Sequence, residues 1–337
     1  MKEPEGSSSA VIADGSAQPA FVRSEFEALR QHIGRQILGQ SELVERLLIA
    51  LLADGHLLVE GAPGLAKTRA VKALASGLEG DFHRIQFTPD LLPADLTGTE
   101  IYRPQDSSFR FDKGPVFHNF VLADEVNRAP AKVQSALLEA MEERQITVAG
   151  KTYPLPRLFM VLATQNPIEQ EGTYPLPDAQ MDRFLMKITV DYPQSAAELA
   201  IIKLLQAEEN QRETTLQVIA QDHIFAARDA IQAMSVAAPV EQYIVDLVMA
   251  TRSPAPYGAK LAQWIATGSS PRASISLHRA SRASAWLDGR DYVTPDDVRA
   301  VLHAIMRHRL ILTYDALADQ VTPDAIIDEL IEQVAVG

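Results

Sequence analysis

The sequence predicts an α/β fold in which a parallel β-sheet is flanked by helices and is followed by a smaller all-helical domain. Up to about residue 190, short apolar runs alternate with segments of helical spacing, and this alternation is typical of a parallel sheet covered on both faces. Beyond Pro193 only helical spacing continues. A chain of 337 residues is long enough for two such domains.

The change of pattern divides the chain into three predicted segments. Residues 1–20 are rich in Glu, Pro, Gly and Ser, a composition that favours disorder. Residues 21–193 are predicted to form the α/β domain, and residues 194–337 the helical domain. The predicted strands of the sheet cover residues 56–60, 83–87, 120–123, 158–163 and 185–190. Two further segments, near residues 101–111 and 146–155, have the pattern of inserted β-hairpins.

Helical spacing predicts the remaining elements. It covers residues 41–53 and 129–144 in the first domain, and residues 196–208, 221–233, 240–252, 271–287 and 295–308 in the second. Thr294 followed by Pro295 marks one helix start clearly, because threonine is a good N-cap and proline suits the first helical position.

The composition excludes several functional classes. No cysteine is present, so disulfides, thiolate metal sites and cysteine nucleophiles are excluded. The net charge of −13, without a clustered basic tract, argues against a protein held mainly to nucleic acid. No apolar stretch approaches the roughly 18–20 residues that span a bilayer, and the first 20 residues lack a signal-peptide pattern. We therefore expect a cytoplasmic protein with protein partners and no membrane insertion.

A phosphate-binding loop is predicted between the first strand and the next helix. The loop reads Gly61-Ala62-Pro63-Gly64-Leu65-Ala66-Lys67-Thr68. In this context backbone N–H groups and a helix N-terminus face the phosphates of a nucleotide. Lys67 would supply a positive charge for the β- and γ-phosphates, and Thr68 a hydroxyl for Mg²⁺. Alanine stands where the usual loop has a glycine before the lysine, but Gly61 and Gly64 retain most of the loop's conformational freedom.

Two adjacent carboxylates, Asp124 and Glu125, follow the apolar run at residues 120–123. A strand that ends here delivers both acids to the carboxyl edge of the sheet, beside the loop. In a P-loop enzyme the first carboxylate holds Mg²⁺, and the second orients and deprotonates the attacking water. A glycine-rich turn alone, or an Asp-Glu pair alone, is common by chance. The two in this order predict hydrolysis of ATP with Mg²⁺ as cofactor.

Several motifs beyond the loop share one pattern. They are Asp124-Glu125-Val126-Asn127-Arg128-Ala129-Pro130, Leu138-Glu139-Ala140-Met141-Glu142-Glu143-Arg144-Gln145, Ala163-Thr164-Gln165-Asn166-Pro167 and Glu171-Gly172-Thr173-Tyr174-Pro175-Leu176-Pro177. With the loop, including its alanine before lysine, they resemble the signatures of the AAA+ ATPases and, within them, of the MoxR family. The resemblance runs from about residue 25 to the C-terminus. It implies an AAA+ P-loop domain with β-hairpin insertions, followed by a helical lid.

The resemblance also implies roles for individual residues. Asn166 looks like the sensor 1 residue, which reads the γ-phosphate and positions water. Arg183 looks like the arginine finger presented to a neighbouring subunit's ATP, and Arg272 like the sensor 2 arginine at the start of a lid helix. Gly39 and Gln40 resemble the segment that lines the adenine pocket. The structural alternatives are an Asn-Pro turn, two solvated arginines and an ordinary helix start.

The complete predicted site has three groups of residues. The catalytic group comprises Lys67, Glu125, Asn166, Arg183 and Arg272. The ATP-binding group comprises Gly39, Gln40, Gly61, Ala62, Pro63, Gly64, Leu65, Ala66, Lys67, Thr68 and Arg272. The Mg²⁺ ligands are Thr68 and Asp124.

Family resemblance implies a homo-oligomeric ring, hexameric in form, that couples ATP hydrolysis to chaperone-like remodelling of a protein client, often with a von Willebrand factor A domain protein. The two hairpins would then face the ring pore, or they are packed structural ribbons. Within the same fold, a metal chelatase-like subunit or a nucleic-acid motor is an alternative function. Outside it, a small-molecule kinase is disfavoured by the sensor and finger candidates. A nucleotide-gated binding module is disfavoured by the intact Lys67 and Glu125.

Overall fold

The computed structural model describes residues 19–62, 65, 67–167, 172–208 and 217–336. Most of the predicted disordered segment, residues 1–18, lies outside the described residues. In chain order, the elements up to the last strand of the main sheet are α1 (Pro19–Gln36), α2 (Ser41–Leu52), β1 (Leu57–Gly61), α3 (Lys67–Ser76), β2 (Phe82–Gln86), α4 (Pro93–Thr97), β3 (Gly98–Arg103), β4 (Ser108–Lys113), β5 (Phe120–Asp124), α5 (Ala131–Glu143), β6 (Gln145–Val148), β7 (Lys151–Pro154), β8 (Met160–Gln165), α6 (Asp178–Met181) and β9 (Met186–Val190).

The C-terminal part is mainly helical. Its elements are α7 (Ser195–Glu208), α8 (Gln221–Gln232), α9 (Ala238–Arg252), α10 (Ala259–Trp264), β10 (Ile265–Thr267), α11 (Pro271–Leu287), α12 (Pro295–Met306), β11 (Ile311–Leu312), α13 (Tyr314–Ala318) and α14 (Pro323–Gln333). Among the described helices, none is both long enough and apolar enough to cross a bilayer.

The main sheet has five parallel strands in the order β2-β5-β8-β1-β9. β5 is buried along its whole length, as expected for an inner strand covered on both faces. β2 lies at the edge and is largely exposed. Because all five strands run the same way, their carboxyl ends meet at one edge of the sheet and their starts at the other. The positions of the functional candidates follow from this polarity.

The core lies on both faces of the sheet, because successive side chains of a strand point to opposite sides. In β1, Leu57 and Val59 join a cluster formed with α1, α2, α3 and the C-terminal helices. Leu58 lies on the other face, in a cluster built mainly with α4, α5 and the second hairpin. The C-terminal helices thus share one continuous apolar core with the sheet.

Helix α1 connects the two parts of the chain. It contacts α3, which follows the phosphate-binding loop, and also α8 and α11 of the C-terminal part. Phe26 packs edge-on against Trp286 with the ring centroids 5.5 Å apart. The Arg23 guanidinium lies over the same indole and donates to the Gly289 carbonyl at 2.9 Å. The N-terminal helix therefore fixes the C-terminal helices against the sheet.

The predicted fold class is confirmed, with differences in detail. All five predicted strands form, each within two residues of its expected bounds, and both hairpins form as β3–β4 and β6–β7. Helix α1 begins at Pro19, two residues inside the segment predicted to be disordered. The C-terminal part also contains the antiparallel pair β10–β11. These strands are too short to give a sequence pattern, and their pairing depends on tertiary contacts.

His56, just before β1, is a buried structural residue with a clear effect of pH. Its Nδ1 accepts the Val161 N–H at 3.0 Å, and its Nε2 lies 3.3 Å from the Met141 carbonyl. Burial lowers the pKa of His56 from 6.5 to about 4, with the nearby Arg144 adding to the effect. Between these two values the unfolded chain binds the extra proton and the folded chain does not. Stability contributed by neutral His56 is therefore lost as pH falls below 6.5.

We predict that the free energy of unfolding decreases between pH 6.5 and about 4 by up to about 1.4 kcal/mol per pH unit because of this side chain. Urea unfolding at a series of pH values measures the slope. His56→Gln, which does not titrate, should be less stable at pH 7 and should have a shallower slope. Equal slopes for the two proteins would contradict the assignment.

Candidate active site

The phosphate-binding loop leaves β1 at Gly61 and enters α3 at Lys67. A Cβ at Gly61 would lie 2.6 Å from the Val190 carbonyl oxygen, so a side chain has no room between β1 and β9. Ala62 and Leu65 are buried against the core. The predicted loop residues Pro63, Gly64 and Ala66 lie outside the described residues, and their contacts with nucleotide stay predictions.

Lys67 is half-buried at the start of α3, and its Nζ donates to the Gly61 carbonyl at 2.6 Å. Burial lowers the pKa of Lys67, while the charges of Asp124 and Glu125 act in the opposite direction. The lysine therefore lies within electrostatic reach of both predicted acids. The structure brings loop and acidic pair together at the carboxyl edge of the sheet.

The acidic pair is held by a threonine on the neighbouring strand. Asp124 ends β5, and Glu125 follows it with a left-handed backbone, φ 58°. The buried Thr164 hydroxyl donates to Asp124 Oδ1 at 2.6 Å and accepts the Glu125 N–H at 2.9 Å. A left-handed non-glycine residue persists only where its surroundings enforce it. One hydroxyl on β8 thus fixes the carboxylate of the first acid and the backbone of the second.

The two carboxylates also contact polar side chains of edge strand β2. Arg84 donates to Asp124 Oδ2 from Nε at 3.0 Å and from a terminal nitrogen at 2.6 Å. Gln86 donates to Glu125 Oε2 at 2.9 Å, and Arg128 is paired with the same oxygen at 3.0 Å. In this conformation Glu125 is therefore turned toward β2 and Arg128. A role as a base requires that its carboxylate exchange these partners for a water molecule.

Asn166 is the first residue after β8 and is buried. β8 lies between β5 and β1, and Gln165 is in register with Glu60 near the end of β1. Asn166 therefore stands between the acidic pair and the phosphate-binding loop. A buried amide at this point can hold a water or a phosphate oxygen that approaches from the loop.

The predicted adenine-pocket segment also reaches this edge. Gln40 donates from its side chain to the Asp191 carbonyl at 2.9 Å. Gly39 has a φ of +77°, and a Cβ there would lie 2.9 Å from that of Ala197. Because Val190 pairs with Gly61, the Gly39–Gln40 turn lies beside the loop and is able to form one wall of a base pocket.

The residues at this edge fit a magnesium ion. Mg²⁺ prefers oxygen ligands and binds proteins through one or two carboxylates together with substrate phosphates. The carboxylate of Asp124 and the hydroxyl of Thr68, in the first turn of α3, supply such oxygens. A cation on Asp124 would compete with Arg84 for Oδ2.

Arg183 and Arg272 lie at the other edge of the sheet, where the strands begin. Both are paired with Glu142 near the end of α5, Arg183 from Nε at 2.9 Å and Arg272 through a terminal nitrogen. They line a cavity of about 280 Å³ together with residues that directly precede β1 and β9. The structure thus brings the two arginines together, but away from the loop.

Arg272 does not lie over the phosphate-binding loop of its own chain. Arg183 precedes Met186, where β9 starts, whereas the loop lies beside Val190, where β9 ends. Five residues of strand span roughly 16 Å, and the sheet itself lies between the two groups. Arg272 is able to reach a nucleotide only on another molecule in this arrangement, as was expected of Arg183.

The segment around Arg183 is fixed by a buried arginine from the C-terminal part. Arg309 pairs with Asp182 at 2.7 Å and donates to the backbone carbonyls of Asp182, Phe184 and Leu185. Asp182 also accepts the Ser270 hydroxyl at 2.8 Å, beside Arg272. The positions of Arg183 and Arg272 are therefore coupled through one carboxylate and one guanidinium.

Sequence reasoning missed several of these residues. Thr164 lies in the motif Ala163–Pro167, two residues before Asn166. Because alternate residues of a strand share a face, this spacing could have indicated a role at the site. Glu142 also lies in a quoted motif but was assigned no role. Arg309 follows Arg307 and His308, and charged residues in such a short run are usually exposed, so nothing in the sequence marks it as buried.

Comparisons with known proteins match both parts of the chain to known families. A model of the ATPase family associated with various cellular activities (AAA) matches residues 56–186, and a model of the AAA lid domain matches residues 261–330. Chaperone MoxR1 of Mycobacterium tuberculosis is 48% identical over 90% of this chain and 80% of its own length. Protein MoxR of Methylorubrum extorquens is 33% identical over 94% of this chain and 96% of its own.

A solved structure gives the same result for the fold. The crystal structure of a Cytophaga hutchinsonii protein that carries an ATPase assignment superposes with a TM-score of 0.88 at 45% identity. The match covers 95% of this chain and 97% of the other. The fold and the matched regions define an AAA ATPase domain with an AAA lid domain. With these relatives over most of its length, the chain belongs to the MoxR family of AAA+ ATPases.

We predict that Thr164→Val lowers the rate of ATP hydrolysis by about tenfold or more, because the Asp124 carboxylate and the Glu125 N–H each lose a hydrogen bond. Steady-state phosphate release measures the rate. Thr164→Ser keeps the hydroxyl and should retain most of the activity. A valine variant as active as the serine variant would show that the hydroxyl does not position the acids.

Proposed function

We propose that this protein hydrolyses ATP to ADP and phosphate at sites formed between subunits of a ring. The observation that carries the proposal is the separation of the site residues across one sheet. Lys67, Asp124 and Glu125 lie at the carboxyl edge, and Arg183 and Arg272 at the opposite edge. A second copy that presents its arginine edge to this loop would complete the site.

Within one chain, each residue has a separate proposed task. Lys67 binds the β- and γ-phosphates, and Thr68 and Asp124 hold Mg²⁺. When bound, Mg²⁺ neutralises charge on the phosphates. Glu125, released from Gln86 and Arg128, orients and deprotonates the attacking water, and Asn166 holds that water against the γ-phosphate. Nucleotide contacts are also proposed for Gly39 and Gln40 at the base and for Gly61, Ala62, Pro63, Gly64, Leu65 and Ala66 at the phosphates.

The arginines would act across the interface. Phosphoryl transfer places negative charge on the oxygens of the γ-phosphate, and a cation from a neighbour stabilises that charge. Arg183 and Arg272 share Glu142, and all three side chains are partly exposed. Exposed ion pairs are weak, so both arginines are able to leave Glu142 for the neighbour's phosphate. A head-to-tail contact of this kind forms a ring when its rotation closes, and we propose a ring of six subunits.

The work done by the ring is proposed to be chaperone-like remodelling of a protein client, possible partners being proteins with a von Willebrand factor A domain. The name of MoxR1 as a chaperone supports this at 48% identity. The net charge of −13 favours protein partners over nucleic acid. We propose a cytoplasmic protein, with residues 21–193 as the nucleotide-binding domain and residues 194–337 as the lid.

A metal chelatase-like subunit or a nucleic-acid motor is the alternative within the same fold. Both would use the same loop, acidic pair and arginine edge. A motor predicts that DNA stimulates hydrolysis with a steep dependence on salt. A chelatase-like subunit predicts that hydrolysis is coupled to insertion of a metal ion by a partner.

We predict that specific ATPase activity rises with protein concentration as rings assemble. Glu125→Gln should reduce the assembled rate by roughly 100-fold or more, and Arg183→Ala by roughly a thousandfold. Arg35→Ala, an exposed arginine of α1, is the matched control and should retain the wild-type rate. Activity that is independent of concentration and unaffected by Arg183→Ala would refute the ring mechanism.

Mixing two inactive variants tests whether the arginine acts on a neighbour. Arg183→Ala subunits keep an intact loop, and Lys67→Ala subunits keep an intact arginine edge. In a 1:1 mixture, on the order of a quarter of the head-to-tail interfaces pair the two intact halves. We therefore expect the mixture to regain a measurable part of the wild-type rate. No recovery, in mixed rings shown to form by native mass spectrometry, would argue for action within one chain.

A further inference from the structure

A second cavity lies next to the arginine edge and has no part in the proposed hydrolysis. It has a volume of about 410 Å³ and lies between the end of α2, helix α8 and helix α11. Asp54 and Arg279 line both this cavity and the one that contains Arg183 and Arg272. We call the second cavity the arginine cleft.

The cleft is positively charged on a negatively charged protein. Four arginines and two carboxylates line it: Arg157, Arg228, Arg279, Arg282, Asp54 and Asp229. Asp54 is already engaged, at 2.7 Å by Arg228 and at 2.9 Å by Arg144. The chain as a whole carries a net charge of −13. A local excess of cations attracts anions to this part of the surface.

Three of the arginines have no carboxylate partner among the described residues. The Arg157 guanidinium stacks on the Phe225 ring, 3.8 Å from its centroid. Arg282 donates to the backbone carbonyls of Gln232 at 2.8 Å and His278 at 3.3 Å. Arg279 is exposed, and no ion pair to it occurs in the described ranges. The guanidiniums of Arg157 and Arg282 are thus held by stacking and by backbone contacts, and neither forms an ion pair within the described ranges.

Arginines of the cleft also lower the pKa values of their arginine neighbours. Burial lowers the pKa of Arg282 and the charge of Arg279 lowers it further, while the charge of Glu241 acts in the opposite direction. Burial likewise lowers the pKa of Arg228. The charge of Asp54 raises this pKa, and the charges of Arg144 and Arg157 lower it. Like charges in a partly desolvated cavity repel more strongly than in water. A bound anion would remove this repulsion.

We propose that the arginine cleft is a binding site for a phosphate-bearing polyanion. Guanidinium groups match phosphate oxygens in two-point hydrogen bonds. Three arginines that form no ion pair within the described ranges line this one cavity, and they suit several linked phosphates better than a single carboxylate. The volume lies within the range of small-ligand sites. The phosphates come either from a free oligophosphate or from the phosphate tail of a nucleotide.

The test uses the full chain with the Lys67→Ala substitution, so that the phosphate-binding loop does not contribute, and without Mg²⁺. Inorganic tripolyphosphate and ADP are the two probes, and sodium sulfate at equal ionic strength is the control. We expect tripolyphosphate, ADP or both to raise the melting temperature by a few degrees, and titration calorimetry to give a dissociation constant. Adding Arg157→Gln and Arg282→Gln should weaken that binding about tenfold or more.

Arg183→Ala with Arg272→Ala, in the same Lys67→Ala background, is the matched control, because both residues line only the neighbouring cavity. Binding that survives this pair and is lost with Arg157→Gln and Arg282→Gln supports the proposal, and the probe that binds identifies the source of the phosphates. Loss with Arg183→Ala and Arg272→Ala alone would overturn it, as would equal stabilisation by sulfate or no binding of either probe.

Arg157→Gln alone covers the case in which the double variant does not fold. The Arg157 guanidinium stacks on Phe225 and makes no hydrogen bond among the described residues. Its replacement therefore leaves no buried polar group unpaired. Weaker binding by a normally folded Arg157→Gln protein supports the site, and unchanged binding overturns it.

Discussion

The parallel direction of β1, β5, β8 and β9 is the constraint on which the rest of the structure depends. Because the strands share one direction, the segments that leave them converge at one edge, where the loop, the acidic pair and Asn166 meet. The segments that enter them converge at the other edge, where Arg183, Arg272 and Glu142 meet. No local rearrangement of side chains joins the two groups within one molecule, since a packed sheet separates them.

Several contacts hold each edge in its arrangement. At the carboxyl edge, one buried hydroxyl on β8 fixes both acids, and side chains of β2 hold their carboxylates. At the opposite edge, Arg309 fixes the backbone around Arg183 through a buried ion pair with Asp182. Removing one partner of such a pair costs about 3–5 kcal/mol, because the other charge stays buried. The C-terminal helices therefore act as a support for the arginine edge, in addition to any role in nucleotide binding.

The sequence indicated where some of the candidate site residues lie relative to the sheet, and it left the positions of others open. Asp124 ends a strand, and Lys67 and Asn166 come after one. The rule that parallel strands end at one edge was therefore sufficient to predict that they lie together. The rule says nothing about Arg272, which lies on a helix of the C-terminal part. Its position depends on how that part packs on the sheet, through Phe26 with Trp286 and through Arg309. These contacts join residues far apart in the chain, and no periodic pattern records them.

What the sequence determined by itself is the order of strands and helices along the chain, the phosphate-binding loop and the carboxylates Asp124 and Glu125 at the end of β5. These features are local, because hydrophobic spacing, glycine positions and adjacent acids can be recognised within a few residues of sequence. The tertiary structure alone decided that Arg183 and Arg272 share Glu142, that Thr164 holds both acids, and that an arginine cleft forms between α2, α8 and α11. Those features arise where distant segments meet, because the energy of a charge or a hydroxyl depends on the neighbours that the fold brings to it.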